Sequence, residues 1–297
     1  MNSTKIAEKN NWLGTFAEII TGYHAYISVV FSWHLEAAMK RADELRKKDY
    51  EVVIGGPAAL YAGVSNGLFW DSVSWHNPNA CRTSIGCPFK CGFCINQNIE
   101  FQELSDWPKR PIVIDDNLTA CSIKHYDRVI DGLKPFAEVD INQGISAAMI
   151  TPYHAERLQE LNLKYIRLAW DNINYELKFM RGWDILRRAG FPRAKIAVYV
   201  LIGFNDTPED ALYRLEMVRR LGGMPFTMRY QPLGTLKRNA HVSYPWTHQE
   251  LQRYCRYWNS LRVTSRIPFD EFENNYHGTN KHQVVAVEEL IDGKEST

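Results

Sequence analysis

Short β-rich runs alternate with helical stretches along most of this chain, and this alternation constrains the fold more than any other feature. From residue 82 onward we predict strands at residues 82–85, 111–114, 137–141, 165–169, 196–202 and 225–231. Helices are predicted at residues 122–133, 152–161, 175–189 and 208–221. Thr207 is predicted to cap the last of these and Gly222-Gly223 to end it, and Thr247 is predicted to cap a further helix at residues 248–261. Such repeats build a parallel sheet with right-handed crossovers. We therefore predict an α/β fold, a partial (β/α)6 TIM-like barrel.

The front of the chain contains one further repeat. A strand at residues 24–31, a helix at 35–48 and a strand at 51–54, closed by Gly55-Gly56-Pro57, form a short N-terminal βαβ extension. The expected organisation is an N-terminal extension over residues 1–76, a core barrel over 77–263 and a C-terminal extension over 264–297.

Composition excludes several functional classes. Apolar residues make up 45% of the 297 residues and the formal net charge is +1, so no overall field attracts nucleic acid or a membrane surface. Local basic runs at Lys40-Arg41, Arg46-Lys47-Lys48 and Arg187-Arg188 are predicted to be solvated helix faces. The N-terminus lacks an apolar signal core and no run is long enough to span a bilayer. We expect a cytoplasmic protein without a membrane partner.

The segment Cys87-Pro-Phe-Lys-Cys91-Gly-Phe-Cys94 carries the strongest chemical signal. Soft thiolates suit iron and sulfide. Three cysteines at this spacing can ligate three irons of a [4Fe–4S] cluster and leave the fourth iron open. An open iron can bind and activate a small molecule, so the pattern indicates chemistry rather than passive electron transfer.

Structural zinc is the alternative for the same cysteines. Such sites usually have four protein ligands in paired knuckles. Cys81 is near enough in sequence to be a fourth ligand, whereas Cys121 and Cys255 are isolated, and we expect them to be packed in the interior. The open cluster is the preferred interpretation.

A strand at residues 82–85 followed by these cysteines, with Phe93 before the third one, resembles the radical S-adenosylmethionine (SAM) superfamily. The resemblance implies that SAM chelates the open iron. It implies reductive cleavage of SAM to a 5′-deoxyadenosyl radical that abstracts hydrogen from an organic substrate, with an electron donor of the flavodoxin or ferredoxin type. Phe93 is then expected near the cofactor.

Asp115, Asp116 and Asn117 end the second predicted barrel strand. In the radical SAM superfamily this strand often ends in a Gly-Gly-Glu-type motif that fixes the methionine end of SAM. The chain departs from that motif and resembles the Asp-Asp variants of cobalamin-associated branches. We expect the trio to contact SAM; the alternative is a helix cap before Leu118.

The next two strand ends offer further polar groups. Asn142 and Gln143, an amide pair before Gly144, are candidates for ribose or substrate contact or, equally, for loop backbone bonds. Arg167 could meet the SAM carboxylate, with Asp171 on the ribose hydroxyls. The alternative is a structural pairing of Arg167 with Asp171.

The fifth strand resembles the Gly-x-Ile-x-Gly-type adenine-contact strand of the superfamily. Only its last glycine, Gly203, is kept, because Tyr199 stands at the earlier position. Arg229 and Tyr230 at the end of the sixth strand are substrate-side candidates, with packing at the barrel edge as the alternative.

The N-terminal βαβ unit resembles the second half of a cobalamin-binding domain but is shorter than a complete one. The Asp-x-His-x-x-Gly motif that supplies the cobalt ligand is missing, so bound cobalamin is not expected. The predicted function is that of a small radical SAM enzyme with an organic substrate. The alternatives are modification of a nucleoside or nucleic-acid base, and a non-enzymatic metal-stabilised binding module.

Overall fold

The computed structural model describes residues 15–67, 72–261 and 266–274. An N-terminal unit comes first in the described chain, and it contains the predicted strand–helix–strand. Its elements are β1 (Ala17–Thr21), β2 (His24–Ser28), α1 (Leu35–Arg46), β3 (Glu51–Gly55) and α2 (Pro57–Tyr61). β2 and β3 pair in parallel, and β1 adds an antiparallel edge strand that the sequence did not predict.

The N-terminal unit has a hydrophobic core of its own. Ile27 and Ile54 project from the parallel strands, and Ala38, Ala42 and Leu45 line the facing side of α1. Alanines four residues apart share one helix face and let the helix approach the sheet closely. This core is separate from the larger one in the rest of the chain.

The remaining elements repeat the strand–helix alternation. In chain order they are α3 (Val73–His76), β4 (Ala80–Cys81), β5 (Ser84–Ile85), β6 (Gln102–Glu103), β7 (Ile112–Val113), α4 (Ile123–Leu133), β8 (Asp140–Ile141), α5 (Pro152–Leu158), β9 (Ile166–Ala169), α6 (Glu176–Arg188), β10 (Ile196–Ile202), α7 (Pro208–Arg220), β11 (Met224–Arg229), α8 (His248–Trp258) and α9 (Phe269–Asn274). The fold is α/β, as predicted. Of the predicted C-terminal extension, residues 264–265 and 275–297 lie outside the described part.

Six parallel strands follow one another in sequence order. β4, β7 and β8 form one sheet and β9, β10 and β11 another. Single bridges from Val139 to Leu163 and from Ile145 to Leu168 join the two sheets between β8 and β9. Among the described residues no ladder pairs β11 with β4, so the strands form an arc whose closure is not shown.

The first core strand differs from the prediction. A strand was expected at residues 82–85, whereas β4 ends at Cys81 and β5 turns away to pair antiparallel with β6. The carboxylate of Asp115 accepts hydrogen bonds from the backbone N–H groups of Thr83 and Ser84, at 2.6 and 3.1 Å. These donors are therefore unavailable to a neighbouring strand, and the ladder stops.

Local capping signals in the sequence are confirmed at two helices. Thr207 and Asp210 form a reciprocal capping box at the start of α7, and Thr247 and Glu250 do the same for α8. Gly222 follows α7 with φ +82°, the left-handed conformation that favours glycine after a helix.

A buried arginine joins two neighbouring strands at their carboxyl ends. Arg214 of α7 is fully buried; it donates to the carbonyl oxygens of Trp170 and Leu201, at 2.8 and 3.0 Å, and pairs with Asp206 at 2.6 Å. The partners satisfy a charge that would otherwise be costly to bury. In the described ranges, no helix is both long and apolar enough to cross a membrane.

Candidate functional site

The three motif cysteines lie on one loop between β5 and β6. Cys87 is buried, and Cys91 and Cys94 are half-buried. Among the described residues, no group of three or more His, Cys, Asp or Glu side chains converges as the ligands of a single metal ion would. A four-iron cluster spreads its thiolate ligands over different irons, so its cysteines need not converge on one point.

Burial raises the pKa of two of the motif thiols, those of Cys91 and Cys94. Burial is the main factor that raises the pKa of the Cys91 thiol, followed by the negative charges of Asp171, Cys94 and Cys87. Burial also raises the pKa of Cys94, against a lowering by the N–H of Asn96. Without a metal the chain therefore keeps these thiols protonated, and metal binding has to displace their protons.

Two N–H groups point at cysteine sulfurs. The side-chain Nδ2 of Asn117 donates to the Sγ of Cys87 at 3.7 Å, and the backbone N–H of Asn96 donates to the Sγ of Cys94 at 3.4 Å. Hydrogen bonds to the sulfurs stabilise thiolate ligands and tune the reduction potential of a cluster. The donor set therefore fits a three-thiolate [4Fe–4S] site held by Cys87, Cys91 and Cys94.

The loop also holds its own shape. The Nζ of Lys90 donates to the carbonyl oxygen of Ile99 at 3.0 Å, and the Nε2 of Gln97 donates to that of Cys91 at 2.9 Å. The backbone N–H of Cys94 donates to the same Cys91 oxygen at 3.0 Å. These bonds close the loop on itself within the chain.

Asp115 is fully buried and already engaged. Its carboxylate accepts the N–H groups of Thr83 and Ser84 and a short hydrogen bond from the Thr83 hydroxyl. Burial raises the pKa of Asp115, and the bonds from Thr83 oppose this shift. The structure thus places Asp115 as the group that anchors the segment before the cysteine loop, away from solvent.

Asp116 and Asn117 take different positions. Asp116 pairs with Arg82 at 2.7 Å and accepts the N–H of Gly86 at 3.0 Å, directly before Cys87. Asn117 precedes a short 3-10 turn but makes no side-chain capping bond to it. The helix-cap alternative does not describe this residue, whose amide faces sulfur instead.

The amide pair lies at the carboxyl end of β8. Asn142 and Gln143 both line the cavity described below, and the Nδ2 of Asn142 is 3.4 Å from Asp140. Gly144 adopts φ +94°, and a Cβ there would stand 3.3 Å from the carbonyl oxygen of Arg167. The glycine therefore allows the chain to turn closely past β9.

Arg167 has a different partner from the one that the sequence suggested. Its guanidinium forms a two-pronged ion pair with Asp140, with the second contact at 3.2 Å, and reaches the carbonyl oxygen of Ile141 at 3.3 Å. The alternative that paired Arg167 structurally with Asp171 is therefore wrong, while contact of Arg167 with the SAM carboxylate stays a prediction. β8 and β9 are neighbours, so Asp140 lies beside Arg167, whereas Asp171 lies beyond the end of β9.

Asp171 is a partly buried carboxylate near the cysteine loop. Burial raises its pKa to about 6, and the charge of Arg214 and a bond from the Leu201 backbone oppose this shift. Its charge also acts on Cys91. The group is thus available for a hydroxyl or a cation near the cysteines.

Gly203 follows β10 with φ +82°, which any side chain would strain. Its N–H donates to Asp206 at 2.9 Å and its carbonyl oxygen accepts from Ser243 at 2.5 Å. The backbone N–H and the carbonyl oxygen of Gly203 are therefore both hydrogen-bonded within the chain. The residue that replaces the earlier glycine, Tyr199, donates its hydroxyl to the carbonyl oxygen of Asn142 at 3.1 Å.

The remaining predicted residues belong to an aromatic row. Phe93 meets Phe204 with ring centroids 5.5 Å apart, Phe204 meets Tyr230 at 4.7 Å, and Tyr230 meets His241 at 5.2 Å. Arg229 donates to the carbonyl oxygen of His241 at 2.7 Å. The row connects the cysteine loop to the segment after β11, and Arg229 and Tyr230 make packing contacts there, while their contact with a substrate stays a prediction.

A cavity of about 410 Å³ lies between the N-terminal unit and the core strands. Its described lining includes Val30, Phe31, Pro57 and Leu60 from the N-terminal unit, Val73 and His76 from α3, and Arg82, Ile95, Asn96, Ile99, Ile114, Asp116, Asn142 and Gln143 from the core side. Asn96 is the residue whose N–H reaches Cys94, so the cavity borders the cysteine loop.

The N-terminal wall of this cavity was missed by the sequence analysis. Val30 and Phe31 follow the carboxyl end of β2, and Gly56 follows that of β3. Ligands of open parallel sheets bind at such carboxyl ends, so this rule could have identified the wall. His76 adds a neutral polar group, because burial lowers its pKa; its Nε2 lies 3.0 Å from the hydroxyl of Ser28.

The other cysteines are interior residues. Cys81 is buried and its thiol lies 3.8 Å from the carbonyl oxygen of Arg110. Burial raises the pKa of Cys121 to about 12. Cys255 is half-buried on α8. The packing role expected for Cys121 agrees with its burial.

Comparisons with known proteins give distant structural matches. No protein-family model matches the chain, and no curated protein matches it with significance. Solved structures that match include the radical SAM methyltransferase TsrM from Kitasatospora setae with cobalamin and a [4Fe–4S] cluster bound, at TM-score 0.38 and 14% identity over 52% of this chain. They also include coproporphyrinogen III oxidase (HemN) from Escherichia coli, a radical SAM enzyme, at TM-score 0.35 and 12% identity over 53% of this chain. The chain covers 36% and 40% of those chains. Similarities this distant assign no function.

Proposed function

We propose that this chain is a radical SAM enzyme whose parallel strands form a partial barrel. The observation that carries the proposal is the single loop that holds Cys87, Cys91 and Cys94 and supplies hydrogen bonds to two of their sulfurs. When bound, the cluster supplies an electron for the reductive cleavage of SAM, which leads to hydrogen abstraction from a substrate. An electron-transfer protein of the flavodoxin or ferredoxin type is the proposed donor.

The chain's own residues hold and shield the proposed cluster. The three thiolates would hold three irons of the cluster, and Asn117 and Asn96 donate to the sulfurs of Cys87 and Cys94. Asp116 fixes the start of the loop through Gly86. This contact would keep the loop in place around a bound cluster.

The proposed SAM contacts are the polar groups that border this loop. Asp116 can attract the cationic amine of SAM while it remains paired with Arg82. Asn142 and Gln143 present amides to the cavity, and Asp171 offers a carboxylate to ribose hydroxyls. Arg167, Asp115 and Gly203 support these groups from positions where their polar atoms are already bonded.

The proposed substrate is a compact, uncharged organic molecule. The cavity of about 410 Å³ is in the range of small-molecule sites; the proposed SAM contacts line its core side, so the substrate is proposed to contact its N-terminal side. Arg82 and Asp116 neutralise one another, and His76 is neutral through burial. The described N-terminal wall is otherwise largely apolar, so a small apolar substrate fits this cavity better than a charged nucleic-acid strand.

The proposal is tested by anaerobic reconstitution with iron and sulfide. The reconstituted chain should bind about four irons and absorb broadly near 400 nm. With dithionite as the reductant, it should release 5′-deoxyadenosine from SAM. Cys91→Ala should lose both properties.

The matched control is Cys255→Ala, which removes a half-buried cysteine outside the loop. It should retain iron and SAM cleavage. Stoichiometric zinc in place of iron, or a Cys91→Ala variant that cleaves SAM like the wild type, contradicts the proposal and favours a metal-stabilised binding module.

A further inference from the structure

Four arginines from three segments meet in one concavity on the far side of the core. Arg187 and Arg188 end α6, Arg193 follows on the way to β10, and Arg220 ends α7. The concavity has a volume of about 460 Å³ and is also lined by Trp183, Asp184 and Leu221. Arg220 is far from the other three arginines in the sequence, and the packing of α6 beside α7 brings them together.

This concavity is remote from the cysteine loop. It lies where α6 and α7 end and where β10 and β11 begin, whereas the cysteine loop and its polar neighbours lie at the carboxyl ends of the strands. β10 spans seven residues. A strand of that length separates its two ends by about 20 Å.

The charge in the concavity is not balanced by the chain. Four guanidinium groups face one carboxylate, that of Asp184, which leaves a formal charge of +3 among the lining residues. Among the described residues, Arg188, Arg193 and Arg220 have no carboxylate at ion-pairing distance. By contrast, Arg219, the neighbour of Arg220, pairs with Glu216 at 2.7 Å.

Helix ends explain only part of this cluster. Basic side chains in the last turn of a helix interact favourably with its dipole, which accounts for the arginines of α6 and α7. Arg193 lies outside both helices. Its Cδ lies 3.1 Å from where a Cβ on Gly222 would stand, so the aliphatic part of the side chain lies against the backbone after α7.

The walls of the concavity are partly preorganised. Arg187 donates a short hydrogen bond to the carbonyl oxygen of Phe191, which fixes one guanidinium. Trp183 is almost completely buried and, with Leu221, forms an apolar floor. Arginine recognises phosphate through two parallel N–H bonds, and an apolar floor strengthens such bonds by lowering the local dielectric.

We propose that this arginine concavity binds linked phosphate groups. A free diphosphate carries a charge of about −3 at neutral pH, and each phosphate of a nucleic-acid backbone carries one negative charge, so one diphosphate or three successive backbone phosphates match the formal charge of +3. Such groups occur in free diphosphates and in the backbone of a nucleic-acid strand, and the exposure of Arg188, Arg193 and Arg220 admits either source. The proposal does not depend on the cluster or on SAM.

The test uses the full-length chain without iron or SAM. Calorimetric titration with sodium pyrophosphate measures the free diphosphate, and fluorescence anisotropy with a labelled twelve-nucleotide single strand measures the backbone. The double variant Arg188→Gln/Arg220→Gln should weaken binding by about tenfold or more, because each lost guanidinium removes a charge-assisted hydrogen bond.

The matched control is Arg46→Gln/Arg219→Gln, which removes the same charge from two exposed arginines outside the concavity. It should bind both probes within about twofold of the wild type. If pyrophosphate binds, the ligand of the concavity is a free diphosphate. If only the single strand binds, with an affinity that falls steeply with salt, the ligand is a nucleic-acid backbone. The proposal is overturned if neither probe binds, or if the control variant loses as much affinity as the concavity variant.

Discussion

The side-chain amide of Asn117 faces the sulfur of Cys87, with its Nδ2 3.7 Å from Sγ. The other end of the same amide accepts a hydrogen bond from the Thr119 hydroxyl at 2.7 Å. The same Nδ2 lies 3.5 Å from the thioether sulfur of Met149, which can only accept a hydrogen bond, so the N–H group of the amide points toward the two sulfurs. Of the three residues Asp115, Asp116 and Asn117, Asn117 therefore contacts a cysteine sulfur of the loop directly.

Removal of this donor should change the redox properties of the reconstituted protein. We expect Asn117→Ala to lower the midpoint potential, because a hydrogen bond to sulfur stabilises the more negative, reduced cluster. A net contribution of about 1 kcal/mol corresponds to about 40 mV for one electron. A redox titration followed by electron paramagnetic resonance measures the shift. Asn142→Ala is the control, because it removes a side-chain amide that does not contact a cysteine sulfur. Equal midpoint potentials in the wild type and both variants would contradict the role of Asn117 as a donor to the sulfur of Cys87.

The anchoring role of Asp115 predicts a large stability effect. Asp115→Ala leaves the buried N–H groups of Thr83 and Ser84 without their acceptor, and we expect a loss of about 3–5 kcal/mol in the free energy of unfolding. Urea denaturation of the metal-free chain measures it. Asp43→Ala, which breaks an exposed pair with Arg46, should change stability by less than about 1 kcal/mol. Similar losses in both variants would rule out the anchoring role.

Asp171 predicts a pH dependence of stability. Its folded-state pKa is raised to about 6, above the ordinary value of 3.8, so the folded chain holds this proton more tightly than the unfolded chain. Its contribution to stability is therefore full below about pH 4 and is lost as pH rises to about 6. Relative to Asp171→Asn, the wild type should lose about 1–3 kcal/mol across that window.

Urea denaturation of the wild type and of Asp171→Asn at pH 4.5 and at pH 7.5 measures this difference. The free energy of unfolding of the wild type, relative to that of Asp171→Asn, should be lower at pH 7.5 than at pH 4.5. A constant difference would show that the pKa of Asp171 is the same in the folded and unfolded chain, and a wild type that gains stability relative to the variant at the higher pH would show a lowered pKa; either result contradicts the prediction.

The cavity predicts that the N-terminal unit takes part in ligand binding. The neutral apolar dye N-phenyl-1-naphthylamine should fluoresce on binding to the wild type, and Phe31→Ala should weaken its binding several-fold, since an aromatic side chain contributes about 1–3 kcal/mol on burial. Tyr23→Ala is the control, because Tyr23 is an aromatic residue of the same unit, 81% exposed and outside the cavity lining. Equal loss in both variants would contradict a role for this wall.

Features with local causes were predictable from the sequence. β10 matches its predicted span at both ends, because seven consecutive residues of high β propensity stand between clear breaks. Thr207 and Thr247 start their helices as expected, since a capping box is contained within four residues. The cysteine motif is likewise local, and the structure places all three thiols on one loop.

Features that depend on strand neighbours were not predictable. The first core strand ends early because Asp115, about thirty residues away, takes the N–H groups of Thr83 and Ser84. Arg167 pairs with Asp140 because β8 and β9 adjoin, and no sequence spacing states that register. The cavity wall at Phe31 depends on how two separate hydrophobic cores meet.

The bonds from Lys90 to Ile99 and from Gln97 to Cys91 are made entirely by protein atoms. A zinc finger unfolds when its metal is removed, because the metal supplies most of its folding free energy. Here two hydrogen bonds between protein atoms hold the loop, so part of its shape comes from the chain itself. If the proposed cluster is bound at this loop, these bonds would help the loop to keep its shape when the cluster is lost.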